Sequence, residues 1–249
     1  LETQKVSWRD VDPNKTELYW KTISVTKPED ANKSYVEFGL KYPSRQGIGV
    51  IGVDGYSNTQ GGKKYGSKLS GWIFLNFDIN DPENTGLFVG HIYGRPNEKE
   101  DMYNQILLAA EYNGFPVFIE FVADDYFTYF KSRGRLGYLP KFPSNTISPE
   151  KKKKDPEGKD RHHGFPTTEF ALTKQNDAMI TYVEHHCENI KYIELLEDLL
   201  KFRPYKRTPS DRTVSAMITL VSSLAPIKRP LPRKQPLIQV FRNEKATVR

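Results

Sequence analysis

The chain has 249 residues, 12% aromatic and 27% charged, a composition that excludes a disordered chain and leaves room for one large domain with a real core. Its single cysteine, Cys187, excludes an internal disulfide and any Cys-based zinc cluster and points to a reducing compartment. No stretch approaches the ~20 apolar residues of a membrane helix, and the net charge of +6 suits a polyanionic partner such as nucleic acid.

The opening LETQKVSWRD has no initiator Met and no charged-then-apolar leader, so the chain is expected to be a piece of something longer. Residues 1–46 are polar with scattered aromatics and read as an irregular, strand-poor lead-in. Three short apolar runs follow: Ile48 to Val53, GWIFLNF (71–77) and GLFVGHIY (86–93). Short, rich in β-branched and aromatic residues, and separated by Gly-rich or Asp-Pro-Glu-Asn linkers, they predict successive strands of an antiparallel meander. In NEKEDMYNQILLAAEYNG (97–114) the period changes to that of a helix, with Asn97 able to cap it and Gly114 to end it. A fourth strand, 116–120, follows directly, so the order predicts an α/β sheet whose last step is a right-handed crossover to a parallel strand.

Residues 125–133 predict a short helix, LGYLPKF an extended piece, and 143–168 a long loop carrying the lysine run Lys151, Lys152, Lys153 and Lys154. Helical patterns at 173–187, 192–202 and 209–224 close the globular part. From Pro226 to Arg249 there are seven Lys/Arg against one acid, Glu244, which makes a basic tail. The chain thus divides into a lead-in (1–46), a domain (47–225) and a basic C-terminal tail (226–249).

Catalytic chemistry is sparse elsewhere. GGKKYGSK (61–68) lacks the Lys-Ser/Thr that must follow the second Gly of a phosphate loop, so it is not one. The pairs His162-His163 and His185-His186 have no Cys or spaced carboxylate and read as surface residues. The carboxylates say more. Asp54 ends the run GVIGV and Glu120 ends VFI. An unpaired buried carboxylate costs several kcal/mol, so two apolar strands that each end on one suggest a shared compensating cation. If the strands are neighbours, their ends lie ~5 Å apart. An Asp before Gly is also what a turn looks like, and Asp211, in PSDRTVSAMITL, stands where a helix cap would.

In order and spacing, GHIYGRPNEKEDMYNQILLAAEYNGFPVFIEF and TTEFALTKQNDAMITYVEHHCENIKYIELLEDLLKF…PSDRTVSAMITL resemble the nuclease domain of the large terminase subunit of tailed bacteriophages, over about 47 to 224. The resemblance implies a ribonuclease H-like fold: a mixed sheet, antiparallel meander then parallel strands, flanked by helices. It implies metal-dependent endonucleolytic cutting of concatemeric double-stranded viral DNA, with metal-activated water attacking the phosphodiester. Carried over by position, Asp54, Glu120 and Asp211 become catalytic metal ligands for two Mg²⁺ or Mn²⁺ ions, with Asp124 and Asp125 as additional candidates or helix caps. Lys151 to Lys154, Lys63 and Lys64 become DNA-backbone contacts, largely blind to sequence. The implied partners are duplex DNA, a packaging ATPase domain in the same longer protein, the portal and the small terminase subunit, with no membrane, acting in the cytoplasm of an infected bacterium. Two alternatives stay open: another ribonuclease H-like nuclease of resolvase or transposase type, and a non-catalytic basic module that binds DNA or the portal.

Overall fold

The computed structural model describes residues 18–23, 34–45, 47–55, 68–96, 98–121, 125–206 and 210–225. The expected cap Asn97, Lys63, Lys64, Asp124 and the 226–249 tail lie outside them.

A five-stranded mixed sheet forms the centre. Its strands are β1 (Trp20–Thr22), β4 (Gly49–Asp54), β5 (Leu69–Leu75), β6 (Leu87–Gly94) and β7 (Val117–Ile119), in the spatial order β1-β6-β5-β4-β7. Strands β4, β5 and β6 pair antiparallel, and β7 lies parallel to β4 with Ile51 beside Val117 and Val53 beside Ile119. The fold class is therefore the predicted one, α/β with a meander followed by a parallel strand. Within the stretch read as an irregular lead-in, β1 adds an antiparallel edge strand against β6, and a separate hairpin pairs β2 (Tyr35–Glu37) with β3 (Leu40–Tyr42). Three-residue strands are too short to carry a period, so sequence patterning does not announce them.

Side chains alternate across the sheet, and helices cover both faces. Ile51, Val53, Leu69, Ile73 and Ile92 pack against α1 (Lys99–Asn113) and α2 (Asp125–Ser132). Val50, Trp72, Phe74, Phe88 and Phe118 pack against α4 (Glu169–His186), α5 (Ile193–Leu199) and α6 (Asp211–Ser223). Helix α1 ends at Gly114, whose left-handed φ of +65° lets its N–H reach the Ala110 carbonyl, as the sequence predicts. The stretch 143–168 is not purely loop: it holds a 3₁₀ turn at Ser144–Thr146 and the six-residue α3 (Pro149–Lys154), started by a Pro in its first turn. LGYLPKF, expected to be extended, opens with a 3₁₀ turn, Leu136–Tyr138.

Helix α6 crosses β4 at unusually short range. A Cβ at Gly52 would stand 2.2 Å from Thr219 Oγ1 and 2.6 Å from the Thr219 backbone nitrogen. Only a residue without a side chain permits that approach. Gly52→Ala is expected to destabilise the protein by ~1–3 kcal/mol, the usual penalty of overpacking. Combining it with Thr219→Ala should not restore stability, because backbone atoms also clash; chemical denaturation of the three variants measures this.

Candidate metal centre

Residues alternate along β4, so Asp54 points to the same face as Val50 and Gly52, toward α6. Glu120 follows β7 and shares the face of Phe118. Its N–H donates to the Val53 carbonyl at 2.9 Å, so the two acids leave neighbouring parallel strands at the same level. On the far side of Glu120 the chain pairs with Phe165, whose N–H donates to Ile119 and whose carbonyl accepts from Phe121.

Asp54 is buried, 8% exposed, and its carboxyl donates a hydrogen bond to Glu120. Burial first, then the negative charge and hydrogen bond of Glu120, then Asp211, push Asp54 up to about 10. Burial also raises Glu120; accepting that hydrogen bond works against the rise, and Asp211 adds to it. Among the described residues no cationic side chain enters either balance. The two carboxyls hold one proton between them, as closely placed carboxylates do.

Asp211 occupies the first turn of α6, and the capping reading for this pair resolves onto its neighbour. Ser210 is the N-cap, its Oγ accepting from Thr213 N–H at 3.3 Å. The Asp211 carboxylate instead accepts from the Lys68 backbone N–H at 2.8 Å, at the start of β5. Two further bonds lock that end of α6 to the sheet: Trp72 Nε1 donates to the Arg212 carbonyl at 2.9 Å, and Ser215 Oγ donates to Ser70 Oγ at 2.7 Å.

An all-oxygen, carboxylate donor set suits hard divalent cations such as Mg²⁺ and Mn²⁺, and two adjacent carboxyls with no cationic side chain beside them among the described residues fit one chemically. Among the described residues, however, no three His, Cys, Asp or Glu side chains are grouped to hold one ion. Asp54 and Glu120 form the fitting pair, while Asp211 acts on both through space.

The other expected residues lie apart. Asp125 is exposed at the start of α2 and pairs with Lys99 at 2.6 Å. Lys151 to Lys154 are all exposed on α3. Asn145, just before that helix, donates to the Val221 carbonyl, ten residues along α6 from Asp211 or ~15 Å at helical rise. His162 is exposed, whereas His163 is half-buried with Nδ1 against the Leu139 carbonyl. The fifth histidine, His91, carried no sequence signal. It is buried, stacked on Trp72 at 3.9 Å, and lowered to about 3, chiefly by burial and then by Arg212. Lys68, Tyr93 and Arg212 carry no local sequence signal; strand register and the docking of α6 bring them together.

No family model and no curated protein matches the sequence. Among solved structures, the large terminase nuclease from thermophilic phage G20c is similar at 12% identity and a TM-score of 0.42, over 70% of this chain and 81% of that one. Among the described residues, no helix is long and apolar enough to cross a membrane.

Folded Asp54 keeps its proton to about pH 10, while the unfolded chain releases it near 3.8. Between those values the folded state binds more protons, so metal-free stability falls as pH rises through that window. Asp54→Asn keeps a donor for Glu120 and never ionises. In chelator it is expected to melt several degrees above wild type at pH 8, since ~1 kcal/mol moves Tm by about 2–4 °C at this size, with a smaller gain at pH 5. Equal melting temperatures at both pH values would contradict the protonated pair.

Proposed function

We propose that the chain is the metal-dependent endonuclease domain of a phage DNA-packaging terminase, cutting concatemeric double-stranded viral DNA. One observation carries the reading: a buried and a half-buried carboxyl on adjacent parallel strand ends lean on each other, and among the described residues no cationic side chain compensates them. Such a pair is unstable in its charged form and gains most from a divalent cation. The sequence resemblance and the sheet order support the same assignment.

In this reading Asp54 and Glu120 would hold Mg²⁺ or Mn²⁺, with Asp211 as the further carboxylate ligand from α6, for two ions in all. A bound ion supplies Lewis acidity to the scissile phosphate and acidifies the attacking water. The chain's own part is to present oxygen ligands from rigid strand ends, so that little reorganisation accompanies the reaction. Ser70 and Ser215 hold α6 at the height where Asp211 faces the pair. The Lys151 to Lys154 run, with Lys63 and Lys64, grips the DNA backbone without reading bases. The packaging ATPase of the same longer protein, the portal and the small terminase subunit are the expected partners, in the cytoplasm of the infected cell.

Plasmid cleavage in Mn²⁺ tests the assignment. Asp54→Asn and Glu120→Gln are each expected to reduce cutting by more than 100-fold while keeping the fold. Wild-type melting should rise with Mn²⁺ or Mg²⁺ as binding to the folded state requires, and the Asp54→Asn melting temperature should not. Wild-type cutting rates in either variant would sink the assignment of Asp54 and Glu120 as the catalytic carboxylates. Duplex binding with neither cutting nor a metal-dependent melting shift would favour the non-catalytic DNA-binding module.

A further inference from the structure

The cross-strand register carries the carboxylate row further than the acids themselves. Asp54 on β4 stands opposite Ser70 on β5, and Ser70 opposite Tyr93 on β6. Residues in register share a face, so Tyr93 points to the α6 side like Asp54, two strand spacings or ~10 Å away.

Two cations converge on the Tyr93 ring. The Arg212 guanidinium carbon lies 3.8 Å from its centroid and the Lys68 Nζ 5.0 Å from it. They come from different elements, Arg212 from the first turn of α6 and Lys68 from the residue before β5. Both are tied by main-chain contacts to the same assembly: the Arg212 carbonyl accepts from Trp72, and the Lys68 N–H donates to Asp211. Asp198 faces Arg212 Nη1 at 3.5 Å and offsets one of the two charges. The Arg212 Nε is buried without a hydrogen-bond partner. Lys68 is exposed and, among the described residues, enters no ion pair.

Two like charges gathered on one ring repel each other, and an anion relieves that repulsion. Cation–π contacts hold both heads in place without consuming their hydrogen-bond donors, and a guanidinium on an aromatic face is a common phosphate-recognition geometry.

Resting on the nuclease reading for its biological ligand, we propose that Lys68 and Arg212, mounted on Tyr93, form a backbone-phosphate subsite. It holds the DNA strand at a phosphate some nucleotides from the one between Asp54 and Glu120. The subsite acts on the ground-state complex: it sets where the strand lies across the carboxylate row, and it reads no base.

The test is binding, apart from cutting. Fluorescence anisotropy of a 30-base-pair duplex, in chelator and between 50 and 200 mM NaCl, compares full-length protein carrying Glu120→Gln alone with the same protein also carrying Lys68→Ala, Lys68→Glu or Arg212→Gln. Lys68→Ala is expected to weaken binding 3- to 10-fold at 100 mM and to reduce the slope of log K against log salt by about 1. Lys68→Glu should weaken it further. Because Lys68 is exposed and its contact to Asp211 is through the backbone, its variants should melt with the parent. Arg212→Gln also loosens the Asp198 contact, so its affinity is read only alongside its melting temperature. Unchanged affinity and slope in both Lys68 variants would overturn the subsite, even if the wild type cuts DNA in Mn²⁺. Loss of affinity in Lys68→Ala while neither the wild type nor Glu120→Gln cuts DNA in Mn²⁺ would leave the subsite standing and remove the nuclease reading. Failure of the parent to bind duplex at all would overturn the subsite.

Discussion

Everything at the carboxylate end of the sheet follows from one unfavourable fact: Asp54 is buried beside Glu120 and, among the described residues, no positive side chain meets either. Withdrawing an ion from water costs several kcal/mol even after relaxation, and a second negative charge adds to it. The protein limits that cost by sharing a proton, which turns one acid into a hydrogen-bond donor for the other. Such an arrangement is a poor choice for stability alone; an Asn–Glu or Ser–Glu pair would satisfy the same geometry with one ionisable group fewer. A carboxyl pair of this kind at the ends of two apolar strands is what makes the place a candidate site.

The sheet makes the pair possible, and one glycine makes the third acid possible. Parallel pairing of β7 with β4 brings Glu120 level with Asp54, an adjacency the intervening helix α1 supplies by carrying the chain back to the start of the sheet. Helix α6 then has to lie close enough to β4 for Asp211 to act on the pair. At Gly52 the Thr219 backbone sits where a side chain would otherwise stand, and the small hydroxyls of Ser70 and Ser215 meet above it. Small residues on both partners set the depth of α6, the Trp72 indole fixes its first turn, and Ser210 takes the capping role. That division leaves the carboxylate of Asp211 free of its own helix.

The parts legible in the sequence are those written in a local pattern. Strands β4 to β7 were readable because each is a short apolar run, and Asp54 and Glu120 because each breaks such a run with a charge. Asp211 was not readable that way, since an acid in a first helical turn has an ordinary explanation; it came from resemblance, and the Ser210 cap shows why the ordinary explanation lost. Helix α3 was hidden by its lysines, which read as solvated loop although a Pro after Ser148 announces a helix start. Lys68, Tyr93 and Arg212 lie 25 and 119 residues apart in steps along the chain, and nothing local links them. They meet because Ser70 pairs with Tyr93 and because α6 is docked at a particular depth, both of them tertiary outcomes.

The same row of residues therefore changes sign along its length. From Glu120 and Asp54 it passes through the neutral Ser70 to Tyr93 with its two cations, on one face of four adjacent strand positions. Arg212 follows Asp211 in sequence and, after burial itself, is the next cause that lowers the buried His91. A polyanion laid across such a row is attracted at the cationic end without help and repelled at the acidic end until a divalent cation is present. In the proposed nuclease reading, binding and cutting would have separate electrostatic requirements, and a strand would be held in register before the ions that act on it arrive. Rigid strand ends suit that order, because the position set by the first contact is preserved at the second.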